Sequence, residues 1–164
     1  MSIEIERKFL LKPGFSFPLT DRFSDIEQCY LQTAGGNARR VRIISNQGHS
    51  HAFITIKGEP EDNLTIGRIE LESHIPVALA ETIIVQAERE SIFKTRYYVS
   101  HDTDEDLVFE VDVFHGMNSG LIIIELELPA EDYKHSLPEW VGEEVTKDHR
   151  YTNAFLSDNP YSEW

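Results

Sequence analysis

Cysteine is almost absent: Cys29 stands alone among 164 residues. No internal disulfide can form, so stability has to come from a core, and a reducing compartment, the cytoplasm, is the expected location. Long apolar runs are also missing. Nothing approaches the roughly 20 residues that span a bilayer, and Glu4, Glu6 and Arg7 arrive before any apolar stretch of signal type. No membrane association is expected. Basic residues are scarce, with 15 Lys and Arg against 29 Asp and Glu and a net charge of -14. That balance disfavours a general nucleic-acid surface, which needs a cationic excess. None of the seven histidines forms a His-x-x-x-His pair, so a zinc site is not expected. Gly35-Gly36 lacks the sequence of a phosphate-binding P-loop. What remains is an ordinary globular composition, 40% hydrophobic and 27% charged, of a size that suits one domain over 1–164.

What the chain does have is charge in stripes. Seven short segments carry ionised residues at every second position with apolar residues between: Glu4, Glu6 and Lys8; Arg40 and Arg42; Lys57; Arg68, Glu70 and Glu72; Lys94 and Arg96; Glu110 and Asp112; Glu125 and Glu127. A strand sends alternate side chains to opposite faces, so each segment reads as a strand with one charged side. For a single strand the ordinary explanation is a wetted sheet face. Over all the strands the pattern is more demanding, because a wetted face tolerates Ser, Thr, Asn and Gln freely and these positions are nearly all ionised. If the sheet closes, seven cations and eight carboxylates line one lumen. Such packing is costly unless the groups pair with each other or with a ligand.

The chemistry this supports is specific. Carboxylates offer hard oxygen ligands to Mg²⁺ or Mn²⁺, and Arg forks onto phosphate oxygens. Seven cations against eight carboxylates leave -1, which repels a polyphosphate carrying about four negative charges. Two divalent ions would bring the lumen to about +3, so strict dependence on Mg²⁺ or Mn²⁺, two per site, is expected.

Turn signals at Ala34–Asn37, Ser45–Gly48, Gly58–Asn63, Ser100–Asp106 and Gly116–Gly120 separate strands expected at 2–11, 27–33, 39–45, 51–57, 67–75, 90–99, 107–115 and 121–128. Short links suit antiparallel neighbours, and eight strands are enough to close a barrel. Helical spacing predicts a helix over 76–88, begun by Pro76, and further helices over 146–157, 131–140 and 13–25. The apolar faces, with Val41, Ile43, Ile54, Ile56, Ile69, Leu71, Val111, Val113, Ile124 and Leu126, are expected to lie under helices. Cys29 is expected in the core.

Glu4-Ile5-Glu6-Arg7-Lys8 resembles the Glu-x-Glu-x-Lys signature of the CYTH superfamily, the triphosphate tunnel metalloenzymes. Gln28-x-Tyr30-Leu31, Arg40-Val41-Arg42, Thr55-Ile56-Lys57-Gly58, Arg68-x-Glu70-x-Glu72, Lys94-x-Arg96-Tyr97, Glu110-Val111-Asp112, Glu125-x-Glu127 and Glu144-Val145-Thr146-x-Asp148-x-Arg150-Tyr151 agree with it in order and spacing. The resemblance implies an α+β fold, an eight-stranded antiparallel β-barrel forming a tunnel with helices packed outside. It implies metal-dependent hydrolysis of inorganic triphosphate, since the pattern is most similar to the compact bacterial inorganic triphosphatases. Thiamine triphosphatase, adenylyl cyclase and a non-catalytic polyphosphate- or nucleotide-binding module are the alternatives.

By the same resemblance, Glu4, Glu6, Glu125 and Glu127 would hold metal, with Glu70, Glu72, Glu110 and Asp112 serving a second ion or its water. Lys8, Arg40, Arg42, Lys57, Arg68 and Arg96 would hold phosphates, with Arg150 reaching the tunnel mouth. Lys94 would orient or deprotonate the attacking water, its pKa lowered by neighbouring cations, and Tyr30 would share that work. The expected partner is a small-molecule triphosphate, with no nucleic acid and no membrane, bound by a monomer or homodimer.

Overall fold

The computed structural model of the chain describes residues 2–31, 38–57, 67–87 and 89–164, leaving out the side chains of 2–4, 38 and 67–69. The turns expected at Ala34–Asn37 and Gly58–Asn63 therefore lie outside the described residues. The strands are β1 (Ser2–Leu11), β2 (Phe23–Leu31), β3 (Ala38–Asn46), β4 (His49–Lys57), β5 (Gly67–Ile75), β6 (Ile92–Ser100), β7 (Val108–Phe114), β8 (Ile122–Glu127) and β9 (Val141–Glu144). They form one sheet in the order β5-β4-β3-β2-β6-β7-β8-β1-β9, and β5 also pairs with β1. That last pairing closes eight antiparallel strands into a barrel. The ninth strand, beyond the eight expected, lies along the end of β1, where Phe9 faces Ile124 on one side and Glu144 on the other.

Local chemistry accounts for several of these elements. Gln47 and Gly48 both have positive φ, 47° and 82°, which makes the tight hairpin link between β3 and β4. Gly142 in β9 passes so close to β1 that an added Cβ would stand 2.9 Å from the Leu10 carbonyl oxygen. β2 begins at Phe23, four residues before the expected start at 27, because its early residues pair with β6 from Phe23↔Tyr97 onward. Tertiary pairing extends it beyond its local signals.

Helix α1 (Val77–Gln86) follows Pro76 as expected and packs Ala80, with Val77, Ile83 and Ile84, on Val41, Ile43 and Ala52. The helix expected over 146–157 is broken in two. Asp148 accepts from the Arg150 N–H at 3.1 Å and starts a 3₁₀ turn at His149–Tyr151, and Thr152 accepts from the Phe155 N–H at 3.2 Å and starts α2 (Asn153–Asp158). Two successive caps divide what periodicity alone reads as one element. The helices expected over 13–25 and 131–140 do not form. Pro13 and Pro18 in one segment and Pro129 and Pro138 beside or within the other remove backbone donors. The irregular chain there still covers the outer wall, placing Phe17, Tyr133 and Trp140 against Phe109, Val111, Ile124 and Leu126. Helices therefore cover only part of the barrel exterior. Ile56 and Leu71, expected under a helix, are 36% and 52% exposed.

The barrel interior is zoned. Toward one end, Ile92, Phe114, Leu121 and Ile123 pack with Leu156 of α2 and with Leu10, Tyr30, Tyr151 and Tyr161. This apolar fill lets α2 close that end, while the charged stripes occupy the middle. No helix among the described residues is long and apolar enough to cross a membrane.

Candidate active site in the barrel

The stripes converge. A cavity of about 460 Å³ inside the barrel is lined by Glu6 and Lys8 of β1, Tyr30 of β2, Arg40 and Arg42 of β3, Lys57 of β4 and Glu70 of β5, and across from them by Arg96 of β6, Glu110 of β7, and Glu125 and Glu127 of β8. Closure of the sheet is what gathers them. Residues up to 121 positions apart face one space because each sits in the inward phase of its strand.

On the wall formed by β6, β7, β8 and β1 the charges are clamped. Lys8 Nζ lies 2.5 Å from Glu6 Oε1 and 2.5 Å from Glu125 Oε1. Arg96 donates from Nε and Nη2 to the two Asp112 oxygens, each at 2.7 Å, and from Nη2 to Glu125 Oε2 at 2.5 Å. Arg96 Nη1 also donates to Glu110. Behind it, Lys94 Nζ donates to Asp112 Oδ2 at 2.5 Å and lies 3.5 Å from Asn153 Oδ1. Lys94, Arg96, Asp112 and Glu125 are all buried. Burial alone would raise the Glu125 carboxyl, but Lys8, Arg96 and Lys94 outweigh it and hold that group well under the usual carboxylate range. Burial wins at Lys94, which is pushed down to about 8 with help from Arg96, although Asp112 pulls the other way. The main cause is thus desolvation, where sequence reasoning expected neighbouring cations alone. Glu110 is shifted upward, by burial first and then by Glu125 and Asp112 against the pull of Arg96.

The wall formed by β3, β4 and β5 is looser. Arg42 Nη2 donates to Glu72 Oε2 at 3.0 Å, and Lys57 Nζ lies 3.0 Å from Glu70 Oε2. Arg40 Nη2 stands 3.4 Å from Thr55 Oγ1, 3.8 Å from Glu70 and 3.9 Å from Glu72. The Nε atoms of Arg40 and Arg42 are buried with no hydrogen-bond partner. Burial and then Arg40 lower the Arg42 guanidinium from its ordinary value.

Of the expected site residues, Glu6, Lys8, Tyr30, Arg40, Arg42, Lys57, Glu70, Arg96, Glu110, Glu125 and Glu127 line the cavity. Glu72 adjoins it through Arg42 and Thr55. Lys94 and Asp112 sit behind the lining, joined to each other and, through Asp112, to Arg96. The side chains of Glu4 and Arg68 lie outside the described residues. Arg150 does not reach the cavity, because Asp148 takes its guanidinium at 2.6 Å and Trp164 lies under it, 5.6 Å from the ring centroid. Sequence reasoning missed Thr146, Lys147, Thr152 and Asn153, which enter the lining from the segment running into α2. Their only signal was the family pattern around Thr146, because a helix periodicity does not say which residues face a lumen.

A closed antiparallel barrel here gathers Arg, Lys and carboxylate side chains into one lumen, and the chain belongs to the CYTH domain family, whose model matches residues 2–155. It is 36% identical over 162 residues to an inorganic triphosphatase of Acetivibrio thermocellus, covering 98% of this chain and 97% of that one. It is 34% identical over 157 residues to an inorganic triphosphatase of Nitrosomonas europaea, covering 94% and 96%. Among solved structures, the inorganic triphosphatase NE1496 superposes with a TM-score of 0.66 at 35% identity, covering 96% of this chain and 95% of that one.

Proposed function

We propose that this chain hydrolyses inorganic triphosphate to diphosphate and phosphate with the help of Mg²⁺ or Mn²⁺. The observation that carries the reading is the cavity, in which Lys8, Arg40, Arg42, Lys57 and Arg96 surround a space that also receives Glu6, Glu110, Glu125 and Glu127. The two inorganic triphosphatases of similar sequence support the choice of substrate.

The donor set fits a hard divalent ion. Glu6 and Glu127 are cross-strand partners, as are Glu110 and Glu125, and all four offer oxygen. Among the described residues no three His, Cys, Asp or Glu groups converge on one metal position. That suits ions which take one or two carboxylates and complete their shells with phosphate oxygens and water. When bound, such ions supply charge neutralisation and a more acidic water.

The chain's own residues do the rest. Arg40, Arg42 and Lys57 bind and orient the phosphate chain from the loose wall, and the family resemblance alone proposes Arg68 as a further phosphate-binding residue. Lys8 and Arg96 face them and stabilise charge on the departing diphosphate as water attacks the terminal phosphorus in line. Lys94, depressed to about 8 and placed behind Arg96, holds or accepts a proton at Nζ, and Tyr30 orients the water from across the cavity. Arg150 is left outside this set.

Phosphate release from triphosphate, thiamine triphosphate and ATP, measured side by side with Mg²⁺ and with Mn²⁺, tests the reading. Triphosphate is expected to be the best substrate, and turnover of an organic triphosphate alone would replace it. Glu6→Gln, and likewise Glu4→Gln, is expected to abolish metal-supported hydrolysis while leaving the circular dichroism spectrum unchanged. Full activity in either variant would remove that residue from the metal ligands.

A further inference from the structure

One buried polar group has no part in the chemistry described so far. Gln28 of β2 is fully buried, and neither its Oε1 nor its Nε2 has a hydrogen-bond partner. Leaving such a group unsatisfied is costly, so a carboxamide at this position calls for a reason. Its direct cross-strand neighbour on β3 is Arg42, whose Nε–H is also buried and without an acceptor. An orphan acceptor and an orphan donor thus occur on paired residues of adjacent strands. At present the Arg42 fork is turned to Glu72, which also accepts from Thr55 at 2.8 Å.

We propose that Gln28 is a positioning residue for Arg42: its Oε1 accepts the Arg42 Nε–H when the guanidinium turns from Glu72 to a substrate phosphate. The inference rests on the triphosphate reading of the cavity. The choice of amide over carboxylate follows from the same role. A glutamate there would hold the guanidinium but neutralise it, whereas an amide fixes its direction and leaves the full charge for the phosphate. The strand pairing makes the arrangement economical, because the backbone holds the two residues in register and only side-chain torsions change.

The test is Gln28→Met, which removes both amide atoms at nearly constant shape. If Gln28 only fills space, this change is neutral or stabilising and leaves kinetics alone. If it positions Arg42, KM for triphosphate rises about tenfold, the size of one hydrogen bond to a charged group, with kcat within about twofold. The same change made in an Arg42→Ala background then has no further effect on KM. A KM within about twofold of the parent, or an equal rise in the Arg42→Ala background, overturns the inference. Should Gln28→Met fail to fold, a crystal structure of the parent with imidotriphosphate decides. Gln28 Oε1 about 3 Å from Arg42 Nε supports the assignment, and separation beyond about 4 Å overturns it. A parent protein that releases no phosphate from triphosphate overturns the functional reading and this inference with it. An active parent whose KM is unmoved by Gln28→Met overturns the inference alone.

Discussion

The two walls of the barrel both carry ion pairs, and they differ in how tightly those pairs are held. On the β6–β7–β8–β1 wall, Lys94, Arg96, Asp112, Glu125 and Lys8 form one chain of contacts at 2.5–2.7 Å, nearly all of it buried. On the β3–β4–β5 wall the ion pairs among the described side chains run from 3.0 to 3.9 Å, and two arginines keep an unpartnered Nε. Buried charges paired this closely are already committed to the fold, and moving them would expose uncompensated charge. Arginines with donors to spare are ready for a ligand that brings its own oxygens. The tight wall therefore reads as scaffold and electrostatic backdrop, and the loose wall as the part that grips.

The largest effect should come from breaking the tight wall at its centre. Asp112 accepts from both Lys94 and Arg96 and is fully buried. Asp112→Ala takes from Lys94 its carboxylate contact and from Arg96 two of its four hydrogen bonds, leaving Glu110 and Glu125 on Arg96, and is expected to destabilise by about 3–5 kcal/mol in urea denaturation. A loss under about 1 kcal/mol would show that the wall is not held as a unit. The same substitution on the loose wall should behave in the opposite way. Arg42→Ala is expected to weaken substrate binding by about 1.5–3 kcal/mol, read as a higher KM, with the thermal midpoint little changed. An unchanged KM and kcat would place Arg42 outside the site, and a collapse in stability would erase the distinction between the walls.

Much of this contrast was legible in the sequence, and some of it was not. The stripes named which residues face inward, because strand alternation is a local property that closure then carries into three dimensions. Glu6, Lys8, Arg42, Lys57, Arg96 and Glu125 were all identified in this way. The difference between walls was invisible, since it depends on register: Arg96 is set beside Asp112 across β6 and β7, whereas Arg42 faces Phe53 across β3 and β4. Alternation cannot report such pairings. The outer wall was misread at Phe17, Tyr133 and Trp140, where a proline-punctuated chain does the covering that helices were expected to do. Arg150 was placed at the site by motif position, and its capture by Asp148 two residues earlier is a local contact that a helix reading obscured. Gln28 entered only as a motif position, beside Tyr30, with no role attached, and its burial without partners is what gives it one.

The two lysines of the tight wall provide the finest test, because they respond to pH in opposite directions. Lys8 is raised from its ordinary 10.5: burial works against it, and Glu125 and Glu6 more than restore the charge. The stability it contributes is complete below 10.5 and fades only at higher pH. Lys94 goes from 10.5 in the unfolded chain to about 8 in the fold. Between those values the unfolded chain holds more protons than the folded one, so stability rises with pH across that window. For metal-free protein the gain between pH 7 and pH 9 is expected to be about 1 kcal/mol. Lys94→Met removes that gain and leaves the behaviour of Lys8 intact, so the difference between parent and variant isolates one lysine from every other group that titrates nearby. Equal slopes for the two proteins would mean that Lys94 keeps an ordinary ammonium in the fold. In that case it would be a structural cation for Asp112, and the proton-handling role would pass to Tyr30.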